Sequence, residues 1–166
     1  RSPSDTVELR QFLPKDAKTL HKLIRSNKKR LTRSLSGFVQ RTRTVSDVRL
    51  WIEASLQITS QAAIFGIWDG DNLVGSQTLL FQDEITGETI SWVDKRFTGN
   101  DYAARGRALL IDFAFNVLGM RYLESNILGV NPASVRSVEK SGFIYDSGTS
   151  GLASFILRNP NLPPTR

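Results

Sequence analysis

The chain has 166 residues, of which 40% are hydrophobic and 23% are charged, and its formal net charge is +6. These values favour one globular domain over residues 1–166, with a core over about 6–158 and a frayed tail over 159–166. The chain has no cysteine and one histidine, which excludes disulfides, thiolate metal sites, cysteine nucleophiles and histidine-rich metal centres. No apolar run approaches the roughly 18 residues that a membrane helix needs.

The N-terminal third is predicted to form one strand followed by helices. Alternating apolar and polar residues over 6–12 predict a half-buried strand. Pro14 begins a helix, and a basic stretch over 28–38 follows as a partly buried helical or looped excursion. A second long helix is predicted after Ser46, with Ser46 and Asp47 as candidate caps, and it continues to about residue 58.

The middle of the chain has the pattern of a three-stranded antiparallel unit. Strands are predicted over 62–68 and 73–81, joined by the turn 69–72, which has the sequence Asp-Gly-Asp-Asn. A second turn over 83–87 leads to a third strand over 88–94.

The C-terminal part alternates helices and strands. The predicted elements are a long helix over 102–118 capped by Gly119, a strand over 122–130, a short helix over 133–141, a strand over 143–145, a flexible turn over 147–151 and a last strand over 152–157. The whole order is β-α-α-β-β-β-α-β-α-β-β, which predicts an α/β (α+β) domain with a mixed sheet.

The turn from Thr98 to Asp101 lies between the third strand of the hairpin unit and the long helix. Backbone N–H groups at the beginning of a helix can receive a phosphate. The turn therefore either holds a phosphate group or simply begins the helix.

Several motifs occur in order along the chain. They are the runs at 9–17, 23–27 and 44–48, then Phe-Gly-Ile-Trp-Asp-Gly-Asp-Asn-Leu-Val-Gly at 65–75, Ala-Leu-Leu-Ile-Asp-Phe-Ala-Phe at 108–115, Asn-Pro-Ala-Ser at 131–134 and Val-Glu-Lys-Ser-Gly-Phe at 138–143. With these motifs the chain resembles the GNAT superfamily of N-acetyltransferases over about residues 7–158. The branch it resembles is that of the RimJ/RimL-type ribosomal-protein N-terminal acetyltransferases.

This resemblance implies a GNAT-like mixed, mostly antiparallel sheet whose central parallel strands splay apart and are flanked by helices. It implies a cytoplasmic enzyme that takes acetyl-CoA as cosubstrate and moves the acetyl group directly to a primary amine, above all a protein N-terminal amine. A small-molecule amine is the alternative acceptor. An edge strand near the C-terminus could support a homodimer.

In the resembling family, backbone amides of the turn before the long helix hold the pyrophosphate of acetyl-CoA. The resemblance carries this role to Thr98, Gly99, Asn100, Asp101, Tyr102, Ala103 and Ala104. The family turn has the pattern Arg/Gln-x-x-Gly-x-Gly/Ala. This chain matches the last position with Ala103 and departs from the pattern at Thr98 and Asp101.

Asp101 has two opposite interpretations. Glycine at this position would bring no charge, whereas a carboxylate repels a phosphate and is also a good helix cap. A capping Asp101 would leave a non-catalytic binding or regulatory module with a weakened acetyl-CoA site. Alternatively, Arg105 and Arg107 could offset the charge if they face the cleft, or they could be solvated.

Acetyl transfer to an amine needs a base, a donor for the developing oxyanion and an acid for the leaving thiolate. By resemblance, the base is Glu88, with a hairpin-edge residue as the alternative interpretation. Asn131 contacts the cofactor and Ser134 binds it and protonates the thiolate, although both could simply cap a helix. Tyr145 is a second candidate acid.

Two residues complete the predicted cofactor site. Trp92 and Val93 lie on the strand that leads to the turn, and by resemblance the amide of Val93 or Asp94 polarises the thioester carbonyl. Trp92 is favoured as a core residue over a substrate platform. No metal is expected.

The net positive charge indicates either an acidic partner or a solvated basic surface. The basic stretch over 25–43 lies where the resembling family builds its acceptor wall, which would suit an acidic acceptor protein. Nucleic acid is the less favoured partner, because no basic-aromatic stripe of the kind that single-strand binders use is present. The sequence shows no signal-peptide pattern, and its first residue is Arg and not Met, which is compatible with a cut or processed chain.

Overall fold

The computed structural model describes residues 6–129, 131–149 and 151–164, and in these ranges the chain forms seven strands and six α-helices. The strands are β1 (Val7–Gln11), β2 (Ala62–Asp69), β3 (Asn72–Phe81), β4 (Thr86–Val93), β5 (Tyr122–Leu128), β6 (Ile144–Thr149) and β7 (Leu152–Arg158). The helices are α1 (Ala17–Ser26), α2 (Lys28–Ser34), α3 (Ser36–Arg41), α4 (Val45–Ser55), α5 (Tyr102–Asp112) and α6 (Pro132–Lys140). Val130, the predicted end of the fifth strand, and Ser150 of the predicted turn lie outside the described residues.

All seven strands form one mixed sheet in the order β1-β2-β3-β4-β5-β7-β6. Every neighbouring pair is antiparallel except β4 and β5, which are parallel. This arrangement confirms the predicted fold class. It also places β6 at one edge of the sheet with all six of its residues exposed, which confirms the predicted C-terminal edge strand.

The central parallel pair separates soon after it begins. Its register contains three pairs, which run from Thr86 opposite Tyr122 to Glu88 opposite Glu124. Beyond these pairs β4 continues to Val93 and β5 continues to Leu128. The two strands therefore enclose a V-shaped gap in the middle of the sheet, as the resemblance implied.

Helices cover both faces of the sheet. On one face, α1–α4 pack over the β1–β4 side, with Phe12, Leu20, Ile24, Val48 and Ile52 fully buried. On the other face, a second cluster joins α5 and α6 to β3, β5 and β7, with Leu79, Leu110, Leu123 and Phe143 at its centre. The start of α5 also packs over β1–β4 on this second face, so α5 lies beside the gap.

The structure corrects the predicted N-terminal helices. The basic stretch is helical and partly buried, as one of its two interpretations had it, and forms two short helices, α2 and α3, with Leu31 and Val39 as the buried residues. The helix α4 begins at Val45, and its cap is Thr44 rather than Ser46. Thr44 Oγ1 accepts from Asp47 N at 3.0 Å, and Asp47 Oδ2 accepts from Thr44 N at 3.1 Å, which is a complete capping box. The helix ends at Ser55, three residues earlier than predicted.

The C-terminal elements also differ in their bounds. The predicted long helix is α-helical to Asp112 and continues as one π-helical turn over Phe113–Val117. The last two strands form a hairpin in which β6 extends to Thr149, so most of the predicted flexible turn belongs to a strand.

The segment after β7 contacts the body of the domain. Asn159 is 1% exposed, and its Nδ2 donates to the carbonyl of Met120 at 2.9 Å. Arg121 Nη1 donates to the carbonyl of Pro163 at 2.8 Å. Hydrogen bonds thus extend past residue 158, the predicted end of the core. Among the described residues, every helix is too short or too polar to span a bilayer.

Candidate functional site

The turn before α5 has the backbone of a glycine-rich loop. Gly99 has φ +82°, and Asp101 has φ 61° and ψ 11°, which is the left-handed region. Asp101 is the one residue other than glycine with positive φ in the described chain. Since glycine adopts this conformation at little cost, Asp101 occupies a position that suits glycine.

The side chain of Asp101 does not cap α5. Asp101 occupies the N-cap position, yet its carboxylate makes no capping hydrogen bond and the residue is exposed. The prediction of a self-capped helix is therefore wrong. The first backbone bond of the helix runs from Arg105 N to Asp101 O at 2.9 Å. The N–H groups of Ala103 and Ala104 precede that bond, so they have no carbonyl one turn earlier within the helix.

Contacts on both sides of the turn hold it in place. Thr98 Oγ1 donates to the Lys95 carbonyl at 3.0 Å. At the start of α5, the Tyr102 hydroxyl donates to Asp69 Oδ2 at 2.6 Å, and its ring packs edge-on against Phe97. The predicted cradle from Thr98 to Ala104 is thus anchored to the end of β2.

Gly106 allows α5 to lie close to the sheet. A Cβ at this position would lie 2.9 Å from Ile67 Cδ1 and 3.3 Å from Gln77 Cγ. Gln77 is fully buried beneath the helix, and its Nε2 donates to the Ala103 carbonyl at 3.3 Å. The close approach places α5 directly over β2 and β3.

The end of β4 presents backbone groups to the gap. Asp94 N donates to the Val74 carbonyl of β3 at 2.8 Å. Because hydrogen bonding alternates along an antiparallel pair, the amide of Val93 points to the opposite side, where β5 has already separated. Of the two predicted donors to the thioester carbonyl, Asp94 is therefore occupied by the sheet and Val93 faces the gap.

A buried polar cluster fixes this end of β4 to the N-terminal helices. Asp94 is 2% exposed and accepts from Asn27 Nδ2 at 3.1 Å and from Arg96 Nε at 2.9 Å. Arg30 Nη1 donates to the Val93 carbonyl at 3.2 Å. Burial alone raises the pKa of Asp94, but the hydrogen bonds from Arg96 and Asn27 outweigh it and leave the pKa below its ordinary value of 3.8.

We expect Asp94→Asn to destabilise the protein at neutral pH. A hydrogen-bonded carboxylate of low exposure is worth about 1–2 kcal/mol, toward the lower end because Arg96 is largely exposed and screened. A pKa depressed in the folded state stabilises above the ordinary pKa and loses that effect as pH falls below about 3.8. Urea unfolding should therefore separate the two proteins more widely at pH 7 than at pH 3, and the difference should shrink as pH falls through the lowered pKa of Asp94. An equal difference at both pH values would contradict this role of the charge.

Glu88 lies at the base of the gap, on the face opposite α5. It is half-buried and stands beside Glu124 in the last parallel pair. Side chains alternate along a strand, so Glu88 shares its face with Trp92, which packs at 6.4 Å from Phe38 of α3. Trp92 is thus a core residue, as favoured from the sequence. The predicted base and the predicted phosphate cradle lie on opposite faces of the sheet, and the gap connects them.

The two polar residues at the start of α6 have different positions. Asn131 is the N-cap, and its Oδ1 accepts from Ser134 N at 3.2 Å. The side-chain oxygen of Asn131 therefore caps α6, as the capping interpretation had it. Ser134 lies in the first turn of α6, on the α5 side of the sheet, and is half-buried.

Tyr145 lies on the face of the sheet that α6 covers. It pairs in register with Phe155, which pairs with Ser125, so these three side chains share that face. Glu124 and Glu88 are on the other face. Tyr145 is 61% exposed and packs edge-on against Phe155 at 5.8 Å. It thus shares a face with Ser134, the other candidate acid, and its role as a second acid stays a prediction.

The structure adds two residues near the gap that the motifs did not identify, Arg30 at the Val93 carbonyl and Glu124 beside Glu88. Of the two arginines of α5 that the sequence offered, Arg107 is buried and not solvated. The basic patterns around Arg30 and Arg107 resemble surface charge in the sequence. In the described ranges, no three His, Asp or Glu residues are grouped so that they could hold a metal ion.

Comparison with known proteins agrees with this geometry. A family model described as "Acetyltransferase (GNAT) domain" matches residues 6–144. No curated protein matches the sequence. The fold is similar to RimL, the ribosomal L7/L12 alpha-N-protein acetyltransferase in complex with coenzyme A, with TM-score 0.86, 18% identity and coverage of 93% of this chain and 95% of that one.

Two further solved structures have the same fold with different printed ligands. One is the microcin C7 self-immunity acetyltransferase MccE with acetyl-CoA and AMP, with TM-score 0.80, 19% identity and 94% coverage of both chains. The other is spermidine N-acetyltransferase from Vibrio cholerae with CoA and spermine, with TM-score 0.77, 15% identity and coverage of 93% of this chain and 96% of that one.

Proposed function

The chain belongs to the GNAT family of acetyltransferases and is an acetyl-CoA-dependent N-acetyltransferase, and we propose that its acceptor is the N-terminal amine of an acidic protein. The observation that supports acetyl transfer is the gap between β4 and β5, which joins a glycine-like turn on one face to Glu88 on the other. Direct transfer without a covalent enzyme intermediate agrees with a chain that lacks cysteine.

The residues of the turn and the gap fit acetyl-CoA. The N–H groups of Ala103 and Ala104 at the start of α5 suit a pyrophosphate, because a helix N-terminus favours negative charge. The left-handed backbone at Asp101 keeps the glycine-like shape of the turn. In the gap, backbone N–H and C=O groups of β4 are available for hydrogen bonds with an extended part of acetyl-CoA. When bound, acetyl-CoA supplies an acetyl group activated as a thioester.

Three groups of the chain serve the transfer. Glu88, directly or through water, takes the proton from the acceptor ammonium so that a neutral amine can attack. The Val93 amide donates a hydrogen bond where negative charge develops on the carbonyl oxygen. As the C–N bond forms and the C–S bond breaks, the Ser134 hydroxyl, on the α6 side, gives a proton to the departing thiolate and is reprotonated by the second proton that the nitrogen loses.

The charge distribution supports an acidic acceptor. Residues 17–55, which form α1–α4, contain ten Lys and Arg but two acidic residues. Asp47 is one of these two, and its carboxylate is used in the capping box of α4. A cavity of about 370 Å³ between α1, α2 and α3 is lined by Arg25, Lys28 and Arg43, with no acidic residue among its walls. Charge of one sign in a concave surface attracts partners of the opposite sign.

A pair of peptides with the same first residue tests the acceptor. One continues with four acidic residues and the other with four basic residues. We expect kcat/KM to be about tenfold higher for the acidic peptide at low salt and the difference to shrink as ionic strength rises. Spermidine serves as the small-amine competitor. A higher kcat/KM for spermidine than for either peptide would contradict a protein acceptor, and equal values for the two peptides would contradict an acidic one.

A further inference from the structure

Arg107 is a buried cation that the transfer chemistry does not use. It lies on α5 with 5% of its surface exposed. Within the described chain its guanidinium lies within hydrogen-bond distance of four acceptors, all neutral, and the two N–H groups of Nη1 are shared among three of them. Nη2 donates to Ser91 Oγ on β4 at 3.3 Å. Nη1 donates to the Ser137 carbonyl at 3.3 Å, to Ser137 Oγ at 2.9 Å and to Ser141 Oγ at 3.1 Å.

These bonds connect the two sides of the gap. Ser91 lies three residues beyond Glu88, the last residue of β4 that pairs with β5. Ser137 belongs to α6, which packs against β5. Nearer the base of the gap, Thr89 Oγ1 donates to the Glu124 carbonyl at 3.3 Å. The two sides are therefore joined first by backbone pairing, then by Thr89, and farthest along the gap by Arg107.

The chemistry of the connection favours a geometric role over simple filling of space. Burial lowers the pKa of the Arg107 guanidinium, because desolvation disfavours its charged form. The Ser137 carbonyl is among the last four of α6, and this end of a helix carries partial negative charge that offsets part of the cost. An apolar side chain would fill the same volume without that cost. A planar guanidinium, by contrast, fixes the positions of several acceptors at once.

We propose that Arg107 is a positioning residue that fixes the distance between β4 and α6 and so sets the width of the gap that receives acetyl-CoA. This inference rests on the proposed function of the gap. Without the connection, the two sides vary in separation in the free protein, and binding must then restrict them. The affinity for acetyl-CoA falls as a result. Turnover of the bound complex stays close to that of the wild type, because Glu88 lies on the other face of the sheet.

Substitutions at Arg107 test the proposal through a split between KM and kcat. For Arg107→Met, which removes all four hydrogen bonds, we expect the Kd of CoA by calorimetry and the KM for acetyl-CoA to rise about tenfold, with kcat within about twofold. Arg107→Lys keeps the charge and part of the reach, and should recover part of the affinity. The matched control is Arg136→Met, which removes an exposed arginine from α6 and should leave the Kd unchanged.

Substitutions of the acceptors keep the test decisive if Arg107→Met does not fold. Ser91→Ala removes the β4 contact and Ser141→Ala removes one contact beyond α6, and each should raise the Kd of CoA about threefold. A merely structural role predicts lower melting temperatures with a wild-type Kd in every folded variant, and that result would overturn the positioning role. Failure of the wild-type protein to bind CoA would instead overturn the proposed function of the gap.

Discussion

Replacement of Asp101 by glycine is expected to tighten the binding of acetyl-CoA by about tenfold. Two effects act in the same direction. The carboxylate at the start of α5 repels a pyrophosphate bound at the N–H groups of Ala103 and Ala104, by roughly 1 kcal/mol or more in a partly desolvated site. The left-handed backbone of Asp101 is also less costly for glycine than for aspartate, so the glycine variant populates the binding-competent turn more fully.

Calorimetry with acetyl-CoA measures this change, and Asp101→Asn separates its two causes. Asparagine removes the charge but keeps a Cβ in the left-handed region, which it tolerates comparatively well. A gain in both variants that shrinks at high salt would assign the effect to charge, whereas a gain in the glycine variant alone would assign it to the backbone. An unchanged affinity in both would show that the Asp101 carboxylate points away from the cofactor.

The Glu88→Gln enzyme is expected to lose turnover by about 100-fold or more, with little change in its affinity for acetyl-CoA. Glutamine keeps the shape of the side chain but cannot take a proton from the acceptor ammonium. The phosphate cradle is on the opposite face of the sheet, so cofactor binding should be preserved. Steady-state kinetics with saturating acceptor, together with calorimetry, measure the two quantities separately.

Glu124→Gln is the matched variant, because Glu124 stands beside Glu88 on the same face. Its Oε1 accepts from Ser154 Oγ of β7 at 3.3 Å. The Glu124 carboxylate is therefore held on the β7 side of β5, away from the backbone groups of β4. We expect kcat of Glu124→Gln to stay within about threefold of the wild type. Full activity in Glu88→Gln would remove Glu88 from the mechanism. A large loss of kcat in Glu124→Gln alone would identify Glu124, and not Glu88, as the base.

Local patterns were sufficient to predict most of the sheet. Alternating residues and the Asp-Gly-Asp-Asn turn identified the β2–β3 hairpin, and the following turn identified β4. These signals depend on neighbours in sequence, as does the cap of a helix. The cap of α4 was nonetheless misplaced by two residues, because Thr44, Ser46 and Asp47 are all good capping residues and only the backbone decides among them.

The candidate site depended on features that sequence patterns do not contain. Asp101 has a side chain suited to a helix cap and a backbone suited to glycine, and the second property is visible only in the fold. Arg107 lies close in sequence to the exposed Arg105 and Ala108, and is buried because α5 and α6 converge there. The face that Tyr145 occupies was likewise not predictable, because one residue of strand register decides which face a side chain occupies.

Because β4 separates from β5, this sheet has unpaired strand edges in its middle as well as at its two outer strands. Beyond Glu88 and Glu124, each strand of the central pair has a border that a neighbouring strand would normally cover. An exposed border of this kind accepts any extended molecule with alternating donors and acceptors, as in the addition of a strand to a sheet. The domain thus carries an interior binding edge, where a narrow, extended ligand can take the place of a missing strand and a folded partner cannot enter.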